Sequence, residues 1–176
     1  PGLYRGGTIK RCDVPDEVVH LRALDSEDVF FSGATLFRCD GTSGNALQVG
    51  GPLDLEPPLF FALKALTASD GLVAWANSSK LGVFQLGNAS LRPTVPVPPL
   101  LALGFGENRA LYVERAPPLQ VRAVTPGPAG SLAVASLGVT LDPAAEDVVF
   151  VAAPFTGAGD CVVYRVGDRV RSVRLP

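Results

Sequence analysis

The chain lacks methionine entirely and has one histidine, His20, and one tryptophan, Trp75, in 176 residues. A single imidazole leaves Ser-His-Asp and Cys-His catalysis resting on one residue, and His20 sits in an apolar stretch, Val18–Leu24, that reads as an inner strand. Cysteine is scarce too: Cys12, Cys39 and Cys161 are an odd number, widely spaced and without a C-x-x-C pair, so no zinc site can be assembled and no metal or other cofactor is expected. Charged residues make up only 18% and leave a net charge of −2, which gives no general attraction to nucleic acid or to anionic lipid. The longest apolar stretches, residues 98–103 and 148–153, are far too short to span a bilayer, and no charged segment followed by an apolar one opens the sequence. A soluble chain is the expectation.

Glycine and proline are abundant, with 19 and 16 residues, beside 47% apolar residues. No window carries an apolar stripe at helical spacing between helix caps, so the composition predicts an all-β chain rich in turns.

The organising feature is a repeat. Apolar runs that follow a polar or acidic turn begin at Asp28, Gly71, Arg109 and Asp147, about 40 residues apart, the spacing of a four-stranded propeller blade. First strands are expected at residues 18–24, 59–66, 100–103 and 137–141. Third strands are expected at 35–39, 81–86, 119–124 and 161–166, and weaker fourth strands at 46–49, 90–92, 131–134 and 169–174. First and second strands are nearly continuous in apolar residues, as in strands buried on both faces, whereas third and fourth strands alternate with Arg and Gln. Tyr4–Pro15 resembles Tyr164–Pro176 with one inserted residue, so the chain is expected to open in mid-unit. The predicted architecture is a single propeller-type domain or segment, residues 1–176: a half blade, 1–17, then units 18–58, 59–99, 100–136 and 137–176.

Residues 73–88, with Trp75, Asn77 and the Leu81-Gly82 turn, resemble the repeat of the RCC1-like family of propellers, and residues 99–111 resemble the element that follows it. The likeness covers about a quarter of the chain. It departs where the family has Gly after Trp (here Ala76) and His before the second strand (here Arg109). The resemblance implies a protein-docking scaffold, and no functional residue is carried over by it.

Three groups of residues are candidates for binding. Asp25, Glu27, Asp28, Asp70, Glu107, Glu146 and Asp147 all fall in the expected turns between first and second strands, which would gather them on one acidic face able to take a basic partner or, less simply, to supply paired carboxylates for glycan hydrolysis. The plainer role is to cap turns and keep that face wet. Arg5, Lys10, Arg11, Arg165, Arg169, Arg171 and Arg174 lie on expected outer strands and would form a basic edge, or simply guard an edge against unwanted pairing. Asn77 and Asn88 head two N-x-S sequons and would be glycan acceptors in a secreted protein. The proline-rich stretch 93–99 is expected to be a rigid connection between blades, and Gly104-Phe105-Gly106 and Gly157-Ala158-Gly159 lack the context of a phosphate loop.

The sequence thus points to a non-enzymatic propeller-type interaction module with protein partners, nucleic acid not among them, in the cytosol or nucleus. The alternative is a secreted, glycosylated propeller that recognises or hydrolyses glycans, marked by a disulfide.

Overall fold

The computed structural model describes residues 2–5, 9–13, 18–24, 27–32, 35–39, 44–50, 60–67, 70–85, 93–107, 109–152 and 159–176. Among these there are seventeen β-strands and no α-helix, only a 3-10 turn at Pro128–Gly130, as the turn-rich composition implied. The strands are β1 Gly2–Arg5, β2 Ile9–Asp13, β3 Val18–Leu24, β4 Glu27–Ser32, β5 Thr35–Cys39, β6 Ala46–Gly50, β7 Phe60–Thr67, β8 Asp70–Ala76 and β9 Lys80–Gln85. They continue with β10 Thr94–Pro96, β11 Leu100–Phe105, β12 Ala110–Glu114, β13 Gln120–Pro126, β14 Leu132–Thr140, β15 Glu146–Val151, β16 Cys161–Val166 and β17 Arg169–Arg174.

Strands that follow each other in the chain pair with each other. The hairpin β1–β2 is followed by four-stranded sheets β3–β6, β7–β10 and β11–β14 and by the three-stranded sheet β15–β17. The pairings with a known register are all antiparallel. The chain divides into two compact units, Pro1–Leu55 with Lys64–Leu72 and Gln85–Leu91, and Glu56–Leu63 with Val73–Phe84 and Arg92–Pro176.

In the first unit the hairpin β1–β2 sets Leu3 opposite Cys12 and Tyr4 opposite Lys10. Cys12 is joined to Cys39 of β5 by a disulfide that is buried beneath Phe37 and Ala46. The sequence similarity of the two ends is a similarity of hairpins: Tyr4 faces Lys10 across β1–β2, and Tyr164 faces Arg171 across β16–β17. In the second hairpin the link is the two-residue turn Gly167-Asp168, with Gly167 at φ 59°, a backbone geometry that favours glycine.

Among the described residues of the second unit, a core lies between its last two sheets. Leu111 and Val113 of β12, Val121 and Ala123 of β13, and Leu141 pack against Val162 and Tyr164 of β16 and Leu175, with Val148, Phe150 and Val173 at its margin. Two sheets therefore stack face to face, each giving the alternate residues of its strands. Gly104 lets them come close, since a Cβ there would sit 2.9 Å from the Phe150 ring. Within the same unit Trp75 lies across β9 at Gly82, where a Cβ would meet the indole Nε1 at 2.4 Å. That packing gives the Trp75 and Gly82 of the repeat motif a structural reason.

Two strand assignments from sequence need correction. Residues 137–141 do not open the last sheet: Val139 and Thr140 belong to the far end of β14 and pair with Val121 and Gln120. The last sheet begins instead at Glu146, after a turn in which Asp142 Oδ1 accepts the Ala144 amide at 3.0 Å. Alternating apolar residues at 137, 139 and 141 look the same in a fourth strand as in a first, and only the partner strand decides. The proline-rich connection also contains a strand, since Thr94–Pro96 pairs with Lys80–Gly82 as β10. Pro96 is tolerated because β10 is an edge strand.

On the other face of sheet β11–β14, Ala110, Tyr112 and Val124 are also buried, at 0–2% exposure, whereas Val134, opposite Val124 on β14, is 42% exposed. Burial pushes the Tyr112 phenol above its ordinary value of 10.0, with nearby Arg122 opposing and Glu114 adding to the rise. The folded state then keeps a proton that the unfolded chain releases, so this contribution to stability is complete below pH 10 and is lost as the pH climbs past it. Tyr112→Phe is expected to flatten that part of the decline, read as the urea midpoint of each protein on either side of pH 10.

Candidate functional site

One cluster of charged residues, Glu107, Arg109 and Asp160, gathers at one end of the stacked sheets of the second unit. The β11–β12 turn closes with the Gly106 amide donating to the Arg109 carbonyl at 2.9 Å. Asp160, just before β16, reaches into this turn: its Oδ1 accepts the Glu107 amide at 2.8 Å and its Oδ2 lies 3.5 Å from Arg109 Nε. The Asp160 carbonyl in turn accepts the Leu175 amide at 2.8 Å, and Arg109 Nη2 donates to the Pro176 carbonyl. Gly106 is required by the approach, because a Cβ there would stand 2.0 Å from Asp160 Oδ2. Gly159, at φ 74°, turns the chain into place.

Beside this knot Glu107, Arg109, Thr125 and Asp160 line a recess of about 290 Å³. Its chemistry is that of polar recognition: a guanidinium between two carboxylates and a hydroxyl. The buried carboxylate is already engaged by the Glu107 amide and by Arg109, which commits it to holding the turn. Among the described residues no group of three or more His, Cys, Asp or Glu could hold a metal ion.

The expected acidic face separates into parts. Glu107 lies beside Asp160, at the end of β16 where Cys161 begins the strand, whereas Glu146 pairs with Arg165 near its other end. Glu107 and the Glu146–Asp147 pair therefore occupy opposite ends of the stacked sheets rather than one face. The cause is the corrected strand frame: Glu146 and Asp147 start a first strand instead of ending the turn before a second one. Asp147 sits at φ 50° in an irregularity of the β15–β16 register. Glu27 and Asp28 start β4 and Asp70 starts β8, with side chains outside those described, and Asp25 lies outside the described residues.

Part of the basic set is matched to the acidic set. Arg165 donates from Nε to Asp147 Oδ2 and from Nη2 to Glu146 Oε2, both at 2.7 Å, and from Nη1 to the Gly167 carbonyl at 2.9 Å. The Asp147 hydrogen bond, then the charges of Asp147 and Glu146, raise the guanidinium pKa further above its already high value. Arg171 reaches Asp142 Oδ2 at 3.0 Å. Arg169 and Arg174 complete this side of the edge on β17. Arg5, Lys10 and Arg11 lie on the hairpin β1–β2, with side chains outside those described.

Of the two sequons, Asn88 lies outside the described residues. Asn77 is buried, and its Oδ1 accepts the Ser79 and Lys80 amides at 2.9 and 2.7 Å, closing the β8–β9 turn. A glycan on Asn77 would need this side chain turned out of the fold.

Sequence reasoning missed Asp160 and noticed Arg109 only as a departure from a repeat. A Gly-Asp pair immediately before an apolar strand was the one local signal for Asp160, and it marks any turn equally well.

No family model matches the chain, and no curated protein matches it. Among solved structures the chain is similar to PorZ, described as an essential bacterial surface component of the type-IX secretion system of human oral-microbiomic Porphyromonas gingivalis. The identity is 10% and the TM-score 0.47, over 89% of this chain and 21% of that one, so the chain spans about a fifth of the length of the protein it resembles.

Proposed function

We propose that the chain is a non-enzymatic β-propeller-type interaction module that serves as a subunit or segment of a larger protein assembly. The observation that carries this reading is the order of the sheets: strands pair in chain order, sheet after sheet, and in the second unit successive sheets stack through their faces. A blade array is built in this way, and its function is to present edges, faces and turn ends to partners. The RCC1-like likeness of residues 73–111 belongs to the same proposal. The polar recess at Glu107, Arg109, Thr125 and Asp160 fits recognition better than turnover, since its buried carboxylate is committed to the fold.

The test is isolation of the chain from its native source after mild cross-linking, followed by reconstitution from the purified chain and the protein it carries. Saturable binding at a fixed stoichiometry is expected. Failure of every recovered protein to bind the purified chain would remove the proposal.

The secreted alternative gains support from one observation, the Cys12–Cys39 disulfide, because such bonds persist in oxidising compartments. Intact mass of the native protein decides it: two hydrogens fewer than the fully reduced chain, with or without glycan on Asn88, favours secretion over the cytosol or nucleus.

A further inference from the structure

Strand β14 ends its sheet: it pairs with β13 and, among the described residues, with no other strand. The register tells which of its backbone groups are left over. Gly127 donates its amide to the Ser131 carbonyl at 2.8 Å, so residue 131 turns its carbonyl toward β13. Bonded and unbonded pairs alternate along an antiparallel ladder, and the pairs that follow are Leu132 with Pro126, Ala133 with Thr125, Val134 with Val124, Ala135 with Ala123 and Ser136 with Arg122. Ala133 and Ala135 therefore bond to β13, whereas Leu132, Val134 and Ser136 send their amides and carbonyls outward, away from the sheet. Pro126 agrees with this phase, because it has no N–H to give and stands opposite Leu132 in a pair that exchanges no bonds.

The same stretch is bare and unguarded. Ala133, Val134, Ala135 and Ser136 are all exposed, so both faces of the strand as well as its edge meet water. No charged residue occurs between Arg122 and Asp142. The last strands of the other sheets in the second unit carry protection against pairing: β10 is three residues long and holds Pro96, and β17 carries Arg169, Arg171 and Arg174. In β14 the break comes only at Leu137 and Gly138, where the register skips and Gly138 takes φ 67°. Leu132–Ser136 is left as an uninterrupted, uncharged edge inside the chain, well before its last sheet.

We propose that the edge Leu132–Ser136 receives an extended, uncharged segment of a partner protein as a fifth strand of sheet β11–β14. The chemistry selects such a segment. Outward N–H and C=O groups on alternate residues are matched by another extended backbone, which supplies the complementary groups at the same spacing. Aliphatic or hydroxyl side chains on the incoming strand would lie beside Leu132 and Val134 on one face and Ala133 and Ala135 on the other, whereas a charged side chain finds no counter-ion along this edge. So short a contact is weak, with a dissociation constant on the order of 100 µM. The proposal rests on the reading of the chain as an interaction module and names the surface and the kind of segment it takes.

The probe is a capped peptide of alternating threonine and valine, about ten residues long, and the readout is amide exchange in the full chain by NMR. Without peptide, Leu132, Val134 and Ser136 should exchange fast and Ala133 and Ala135 slowly. Peptide at about 1 mM should slow the outward three about tenfold, as mass action gives for the expected constant. Val134→Pro deletes one outward amide and no bond to β13, and Val134→Lys places a charge on the edge with the backbone intact. Each should cut the slowing at Leu132 and Ser136 to less than about twofold with an unchanged urea midpoint, and Val134→Lys alone decides if the proline variant does not fold. Unchanged exchange at about 1 mM peptide, or protection retained in Val134→Lys, overturns the proposal. So does slow exchange of the outward amides before peptide is added, which would mean an edge already taken by a second copy or by the chain itself. None of these results touches the reconstitution test of the module reading, because that test reads binding at any surface.

Discussion

Unfolding of the chain in urea is expected to shift to clearly lower denaturant when the Cys12–Cys39 disulfide is removed, by reduction or by the double change Cys12→Ala and Cys39→Ala. The bond joins residues 27 apart in sequence, and closing a loop of that size restrains the unfolded chain by about 3 to 4 kcal/mol in the chain-entropy account. A loss of that size corresponds to roughly 6 to 16 °C in melting temperature for a chain of this length. The effect should concentrate in the first unit, because among the described residues β1 and β2 pair only with each other and the disulfide ties them to β5. Oxidised and reduced samples should therefore differ in the exchange of the β1–β6 amides and agree in those of β11–β17. Coincident urea curves would show that the bond is absent or contributes nothing.

Asp160→Ala should be the most damaging single polar change in the second unit, with a loss of about 2 to 4 kcal/mol. The substitution leaves the Glu107 amide without its acceptor and Arg109 without its carboxylate, and both sit where the β11–β12 turn meets the start of β16. Asp160→Asn keeps an acceptor for the amide and should recover part of the loss, whereas Gly106→Ala should reproduce much of it by driving a methyl into the carboxylate. Fast exchange of the Glu107 amide in Asp160→Ala, with slow exchange retained at Val121 and Val162, would locate the damage. Equal stability of Asp160→Ala and the parent chain would mean that the knot is not formed in solution.

Strands were legible where composition alone decides. The continuous apolar runs Val29–Phe31 and Leu111–Val113 fall inside β4 and β12, and the alternating run 161–166 is β16. Frame was not legible where two readings share a pattern: Leu137, Val139 and Leu141 alternate equally well as the end of β14 and as a new first strand. That one shift moved Glu146 and Asp147 to the end of the sheets opposite Glu107. Thr94–Pro96 was hidden because two prolines mask a three-residue edge strand that needs few backbone donors. The polar knot was hidden for a deeper reason, since Asp160 and Glu107 are 53 residues apart and nothing local tells a carboxylate that reaches across a fold from one that faces water. The same holds for the cysteines: three thiols allow three pairings, and only the fold brings Cys12 to Cys39.

The central claim is that successive sheets of the second unit stack face to face, β11–β14 against β15–β17, through one shared core. Gly104 of β11 lies against Phe150 of β15, where a Cβ would sit 2.9 Å from the ring, so the pair reports on that contact. The direct measurement is the cost of Gly104→Ala, read as the shift in urea midpoint, in the unaltered chain and in Phe150→Ala. The account predicts a clear loss in the unaltered chain and a much smaller one where the ring has been removed. An equal cost in both backgrounds would contradict it.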